Sequence, residues 1–129
     1  MLKPRIYVKL PTGIWVEIKG KLKRVVAART KSGKTRRAVS YSLIGESLDN
    51  EPKIKGTPAG TFYISSTRVT KYILKILDEE VSNTVVIVVK PLTKEVYEIN
   101  VYNASGKVID KIKGIAEEMK IVRQPPKKK

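Results

Sequence analysis

A run of lysine and arginine near the N-terminus is the stretch of this sequence best suited to chemistry. Residues 19–37 read KGKLKRVVAARTKSGKTRR and hold nine basic side chains and no acidic one; the nearest carboxylates are Glu17 and Glu46. Ammonium and guanidinium groups at this density bind phosphate oxygens. A solvated surface is the alternative, since such runs are common in thermophile proteins, but solvated surfaces usually mix both signs of charge. We therefore expect the run to bind a polyanion.

The distribution of charge along the chain points to the same partner. The 129 residues carry a net charge of +15, from 27 basic and 12 acidic residues. Residues 1–40 hold twelve basic residues against one acid, whereas residues 41–80 hold five against six. Charge concentrated in one third of a chain favours nucleic acid as the partner.

The residue types absent from the sequence exclude several kinds of active site. The chain has no cysteine and no histidine. It therefore lacks thiolate nucleophiles, imidazole bases and the usual zinc ligands. Few thermolabile residues and many Lys, Ile and Val are typical of hyperthermophile proteins.

Two short motifs resemble parts of a phosphate-binding loop and of a nuclease site, but the sequence around them does not fit either site. Residues 33–35 (Gly-Lys-Thr) match the end of a phosphate-binding loop, but Ala28 stands where the pattern needs glycine, and a strand is predicted where it needs a helix. Residues 17–19 and 51–53 share the Glu-x-Lys spacing of metal-dependent nucleases. No acid precedes Glu17 to complete a Mg²⁺ site, and Pro52 indicates a loop. We expect a non-catalytic protein without cofactor or metal.

An aromatic pair refines the expected ligand. Trp15 is the only tryptophan, and strand alternation puts it on the same face as Tyr7 and Lys9. Exposed aromatic rings among cations stack the bases of a single strand while the cations hold its phosphates. In the alternative interpretation, the connection 45–61 or a second subunit covers Trp15. The predicted nucleic-acid site consists of Tyr7, Lys9, Trp15, Lys21, Lys23, Arg29, Lys31, Lys34, Arg36 and Arg37.

The elements that must position this site are four predicted strands in the N-terminal part. Residues 5–10 and 14–18 alternate apolar and polar side chains, which pairs Ile6 with Ile18. A turn at residues 19–21 and a two-residue hairpin loop at residues 32–33 complete a meander. In that register Arg29 faces Arg36, and Lys31 faces Lys34. Like charges directly opposite each other are destabilising, so the register suggests that an anion sits against them.

The sequence after residue 61 predicts the elements that pack on this sheet. A short strand at 62–64 precedes a helix, capped by Ser66 or Thr67, whose apolar stripe packs on the aliphatic face. Strands are predicted at 84–89 and 96–102. We expect a third strand at 107–112 and a short helix at 115–122, because one helix over 108–119 would contain Gly114 at a cost of about 1 kcal/mol.

These elements together predict an α+β fold: a four-stranded antiparallel β-meander packed on a helix, followed by a smaller β element and a C-terminal helix. Residues 1–122 form a single nucleic-acid-binding domain, and residues 123–129 form a basic flexible tail. With no signal segment or membrane span in the sequence, we expect a cytoplasmic protein that has no membrane partner. The sequence leaves monomer and homodimer open.

The sequence thus predicts non-catalytic binding of nucleic acid, with single-stranded DNA or RNA preferred. One alternative is a duplex DNA or chromatin protein that uses the basic hairpin as a ribbon. Another is a structural protein of a ribonucleoprotein or virion.

Overall fold

Within the described part of the chain, six strands form one mixed sheet, and two helices pack on the same side of it. The computed structural model describes residues 4–29 and 31–119, without the side chain of Ala28. The elements in chain order are β1 (Arg5–Lys9), β2 (Trp15–Arg29), β3 (Thr35–Leu48), β4 (Gly60–Ser65), α1 (Val69–Asp78), β5 (Val86–Pro91), β6 (Val96–Tyr102) and α2 (Gly106–Glu118). The α+β class is therefore confirmed.

The strand order is β3-β2-β1-β5-β6-β4. β1 pairs in parallel with β5, and all other neighbours are antiparallel. The predicted pair of Ile6 with Ile18 is confirmed. The parallel pair, which was not predicted, joins the N-terminal strands to the C-terminal ones. The predicted four-stranded antiparallel meander is therefore wrong as a description of the whole sheet.

The core lies between the sheet and the two helices. The apolar stripe predicted for α1 is buried through Tyr72, Ile73 and Ile76. Strand residues of β1, β4, β5 and β6 complete the same cluster. Burying each large apolar side chain contributes about 1.5–3 kcal/mol. The predicted cap at Ser66 or Thr67 is wrong, because Arg68 is the N-cap and makes no side-chain cap hydrogen bond.

The last helix is where the preferred sequence interpretation is wrong. Residues 106–118 form the single helix α2 rather than a strand followed by a short helix. Ser105 caps it by accepting a hydrogen bond from the backbone N–H of Val108 at 3.4 Å. Burial of Ile112, Ile115 and Ala116 against the core outweighs the cost of Gly114. The predicted helix at 115–122 runs past the described residues, and the predicted tail at 123–129 lies wholly outside them.

The predicted turn at residues 19–21 is also wrong, because β2 runs through it as one long strand. β1 pairs with β2 only from Trp15 to Ile18, so beyond that point β2 has a single neighbour, β3. A β-bulge lies at this junction: Ile18 pairs with Gly45 and Gly20 pairs with Ile44, which leaves Lys19 as the extra residue. Bulges bend a strand and increase its twist. Here the bulge marks the point where β2 leaves the six-stranded sheet.

The hairpin register differs from the prediction by one residue. Arg29 lies opposite Thr35, and Arg36 lies opposite Ala28. The connection is residues 30–34 instead of a two-residue loop, and Gly33 adopts a left-handed φ of +84°. No cation lies directly opposite another along this ladder. The predicted pair of Arg29 with Arg36 is therefore wrong, and Lys31 and Lys34 lie in the connection instead of pairing across the strands.

No helix among the described residues is long and apolar enough to cross a membrane.

Candidate nucleic-acid interface

Beyond the bulge, β2 and β3 form a two-stranded ribbon that extends away from the rest of the protein. We define the ribbon as Gly20–Arg29, the connection 30–34 and Thr35–Ile44. Its ten residue pairs correspond to a length of about 30 Å. Every side chain described from Lys21 to Tyr41 is exposed. Neither side of the ribbon is therefore covered by another element.

The two sides of the ribbon are distinguished by their contacts with the body. Leu43 packs against the main core, and Lys21 lies opposite it and forms an ion pair with Asp78 at the end of α1. These residues define the helix side, and the opposite side is the outer side. By alternation from these pairs, the helix side carries Lys21, Lys23, Arg29 and Arg37. The outer side carries Arg24 and Arg36, and the connection carries Lys31 and Lys34.

This arrangement corrects the single basic face expected from the sequence. The expected face placed Lys23, Arg29 and Arg36 beside Tyr7, Lys9 and Trp15. The bulge adds one residue to β2, so alternation is reversed beyond it and Lys23 and Arg29 fall on the helix side. Arg36 stays on the outer side. The predicted basic residues therefore lie on both sides of one ribbon instead of one side of a sheet.

Every charged side chain of the ribbon is positive. Its 25 residues include eight Lys or Arg and no Asp or Glu. Lys21 pairs with Asp78 and lies 5.3 Å from the centre of the Tyr41 ring. Among the described residues, no other cation of the ribbon is in an ion pair with a carboxylate. Seven cations are thus available to an external anion.

Trp15 and Tyr7 do not form an exposed stacking surface. Trp15 is 6% exposed and Tyr7 is 8% exposed, in a small apolar cluster on the outer side of the sheet. Ile54, from the connection between β3 and β4, packs against this cluster. The alternative interpretation, in which that connection covers Trp15, is therefore confirmed. Lys9 is half-buried at the end of β1, opposite Trp15.

Two cations of the body are paired with a carboxylate on the outer side of the sheet. Glu17 lies opposite Glu46 across β2 and β3. Partial burial disfavours the charged form of Glu17, but hydrogen bonds from Arg5 at 3.2 Å and Lys19 at 3.3 Å outweigh it. The pKa of Glu17 is therefore lowered from its ordinary value. Arg5 and Lys19 are therefore paired with a carboxylate of the protein itself and are less available to an external anion.

The apolar side chains of the ribbon are as exposed as its charges. Leu22, Val25, Val26 and Val39 each leave at least two fifths of their surface in solvent. Isolated hairpins are only marginally stable in water, and exposed aliphatic groups on such a strand pair suggest a contact surface.

The chain has no match among protein-family models, curated proteins or solved structures. Among the described residues, no group of three or more Asp or Glu side chains is placed to hold a metal ion.

The structure brings three residues to the ribbon that the predicted site omitted. Tyr41, 44% exposed, lies on the helix side of the ribbon beside Lys21. Arg68, the N-cap of α1, and Lys71, on its first turn, border the same groove as Tyr41. The sequence signal for Tyr41 was its position among cations, but the predicted register assigned it to the aliphatic face. Nothing in the sequence around Arg68 indicated that α1 lies beside the ribbon.

Proposed function

We propose that this protein is a non-catalytic nucleic-acid-binding protein that holds a duplex with its ribbon. The observation that carries the proposal is the ribbon itself: about 30 Å of two-stranded sheet with eight cations, no acid and no covering element. The major groove of B-form DNA is about 12 Å wide and admits a two-stranded ribbon. Cations on both sides of the ribbon would then meet the phosphates that border the groove on each side. The proposal includes a cytoplasmic location.

The burial of Trp15 favours a duplex over a single strand. Sequence-tolerant binding of single strands needs exposed rings on which successive bases stack. Trp15 and Tyr7 are packed in the outer cluster, and the pocket beside Trp15 is lined by two acids, Asp49 and Glu51, against one cation, Lys9. The excess of carboxylates there would disfavour phosphates.

The exposed aliphatic groups of the ribbon also fit a duplex. Thymine presents a methyl group in the major groove, and small apolar side chains contact it. Val25 and Val39 form an apolar rung on the helix side, and Val26 lies opposite Ala38 on the outer side. Cations at the base and tip of the ribbon flank these rungs. Such a surface can contact base edges and phosphates at the same time.

A single-strand mode remains as a second candidate because of one observation. Tyr41 is an exposed ring with an ammonium group 5.3 Å from its centre. A base stacked on this ring would contribute about 1–3 kcal/mol. Tyr41→Ala should therefore weaken single-strand binding by that amount if this mode operates, and should leave it unchanged if it does not.

The deciding experiment measures affinity by fluorescence anisotropy with labelled duplex DNA, single-stranded DNA and single-stranded RNA at several salt concentrations. If the seven unpaired cations of the ribbon all meet phosphates, log K for duplex should fall with log salt at a slope approaching about −6, from −0.9 per contact. Duplex should bind more tightly than either single strand at each salt concentration.

The matched control is Lys107→Gln with Lys113→Gln, which removes two positive charges from α2 and none from the ribbon. Its affinity should stay close to that of the parent. Absence of binding at low salt, or affinity insensitive to salt, would overturn the proposal. Tighter binding of single strands would favour the second candidate.

A further inference from the structure

A groove separates the base of the ribbon from helix α1. It is open to solvent and has a volume of about 600 Å³. One wall is the helix side of β3, with Val39 and Tyr41; the other wall is the first turns of α1, with Arg68, Lys71 and Leu74. The groove therefore has an aromatic and aliphatic wall facing a basic one.

The cations of α1 are paired on one side of the helix and unpaired on the side that faces the ribbon. Toward α2, Lys75 Nζ lies 2.7 Å from Glu118 Oε2. Lys111 of α2 lies 3.4 Å from Glu79, just past the end of α1. Arg68 and Lys71 are exposed, and neither forms an ion pair with any described carboxylate. The fold neutralises the cations between the helices and leaves those at the groove available.

The ribbon wall adds charge of the same sign. Lys23 lies directly opposite Tyr41 on the helix side of the ribbon. Thr67 and Thr70 also line the groove, and hydroxyl groups donate hydrogen bonds to phosphate oxygens. Cations and hydroxyl groups beside apolar side chains match a sugar-phosphate backbone, in which charged phosphates alternate with less polar sugars.

We propose that this groove binds the backbone of one strand of the nucleic acid that the ribbon holds. The inference rests on the proposed function. A ribbon lying in the major groove has a phosphate backbone along each of its sides, and α1 lies beside one side of the ribbon. Arg68 and Lys71 then contact phosphates that the ribbon does not reach. Phosphate contacts of this kind set the register and orientation of a protein on a duplex.

The test compares the parent protein with Arg68→Gln/Lys71→Gln by anisotropy titration of labelled duplex DNA at salt concentrations from 50 to 200 mM. Glutamine keeps helix propensity close to that of arginine and lysine. Loss of two phosphate contacts should reduce the steepness of the salt dependence by about 1.8. Over this range the parent should therefore lose about tenfold more affinity than the variant. The control pair Lys107→Gln/Lys113→Gln should keep the parent slope.

A gain-of-charge variant tests the groove from the other direction. Thr70 lines the groove and is exposed, so Thr70→Arg should steepen the slope by about 0.9. An unchanged slope in both groove variants, with thermal melting like the parent, would overturn the inference while leaving the ribbon proposal intact. If the parent does not bind duplex at all, the proposed function itself fails. Equal losses of slope in the groove variant and the α2 control would show a general charge effect and also overturn the inference.

Discussion

Shortening the ribbon should separate its contribution to stability from its contribution to binding. The variant we consider replaces residues 25–39 with Asn-Gly, which joins Arg24 to Ser40, a pair that already lies opposite in the ladder. Asn-Gly is the preferred sequence of a two-residue hairpin turn. The change removes five cations, namely Arg29, Lys31, Lys34, Arg36 and Arg37.

The expected effect on stability is small. Every described side chain in the removed segment is exposed, and none belongs to either apolar cluster. Folding of the removed residues costs conformational entropy, which offsets the cross-strand contacts that are lost. We expect the free energy of unfolding to change by less than about 1 kcal/mol, because surface changes away from the core have small effects. Urea denaturation followed by circular dichroism measures this.

The expected effect on binding is large. Five phosphate contacts contribute about 4.5 to the salt slope, so the shortened protein should retain little salt-dependent affinity for duplex. A full-length variant with the same five cations changed to glutamine is the matched control, because it keeps the shape and removes the charge. Equal affinity of the shortened protein and the parent would refute the role of the ribbon. A loss of stability of several kcal/mol would show that the ribbon packs against something in solution, such as a second copy, which sedimentation would detect.

Four further outcomes follow from individual residues. Trp15→Ala should cost about 3–5 kcal/mol of stability because the ring is buried; a melting temperature like the parent's would contradict its placement. Arg36→Thr should change stability by less than about 0.5 kcal/mol, since no cation lies opposite it, and should weaken duplex binding in the same titration. Gly114→Ala should raise stability by about 0.5–1 kcal/mol, because the site is mid-helix with open space around it. The lowered pKa of Glu17 means that its stabilising effect is present above the unfolded pKa and is lost as pH falls through the folded value; the difference in melting temperature between the parent and Glu17→Gln should therefore vanish in acid.

Local patterns predicted the elements whose side chains are buried on one face. The stripe of α1 and the bounds of β6 (Val96–Tyr102) follow from apolar spacing alone, because burial of that spacing dominates the local energetics. The pairing of β1 with β5 brings together residues 81 positions apart, and no local pattern encodes such a contact. The prediction of a strand followed by a short helix was wrong for α2, because it counted the free-energy cost of Gly114 in a helix but not the gain from burying Ile112 and Ile115.

The candidate site was predicted in composition but not in arrangement. The run of cations identified the ribbon, since charge is read directly from the sequence. Assignment of each cation to a side required the register, and Lys19 disturbs it: a Lys-Gly-Lys sequence is compatible with a turn and equally with a bulge. Trp15 shows the same limit, because strand alternation gives the face of a residue and not what covers that face. Arg68 was missed because its role depends on the position of α1 beside the ribbon.

The bulge at Lys19 has a mechanical consequence. At this bulge β2 changes from a strand with two hydrogen-bonded neighbours to a strand with one. Because bulges bend a strand, bending of the ribbon relative to the body is concentrated there. Such bending would change the distance between Tyr41 and the first turn of α1, which sets the width of the groove. Deletion of Lys19 would make the ladder regular and keep every cation on its present side. Lys19 therefore affects the angle at which the ribbon leaves the sheet, although it is not one of the cations at the groove.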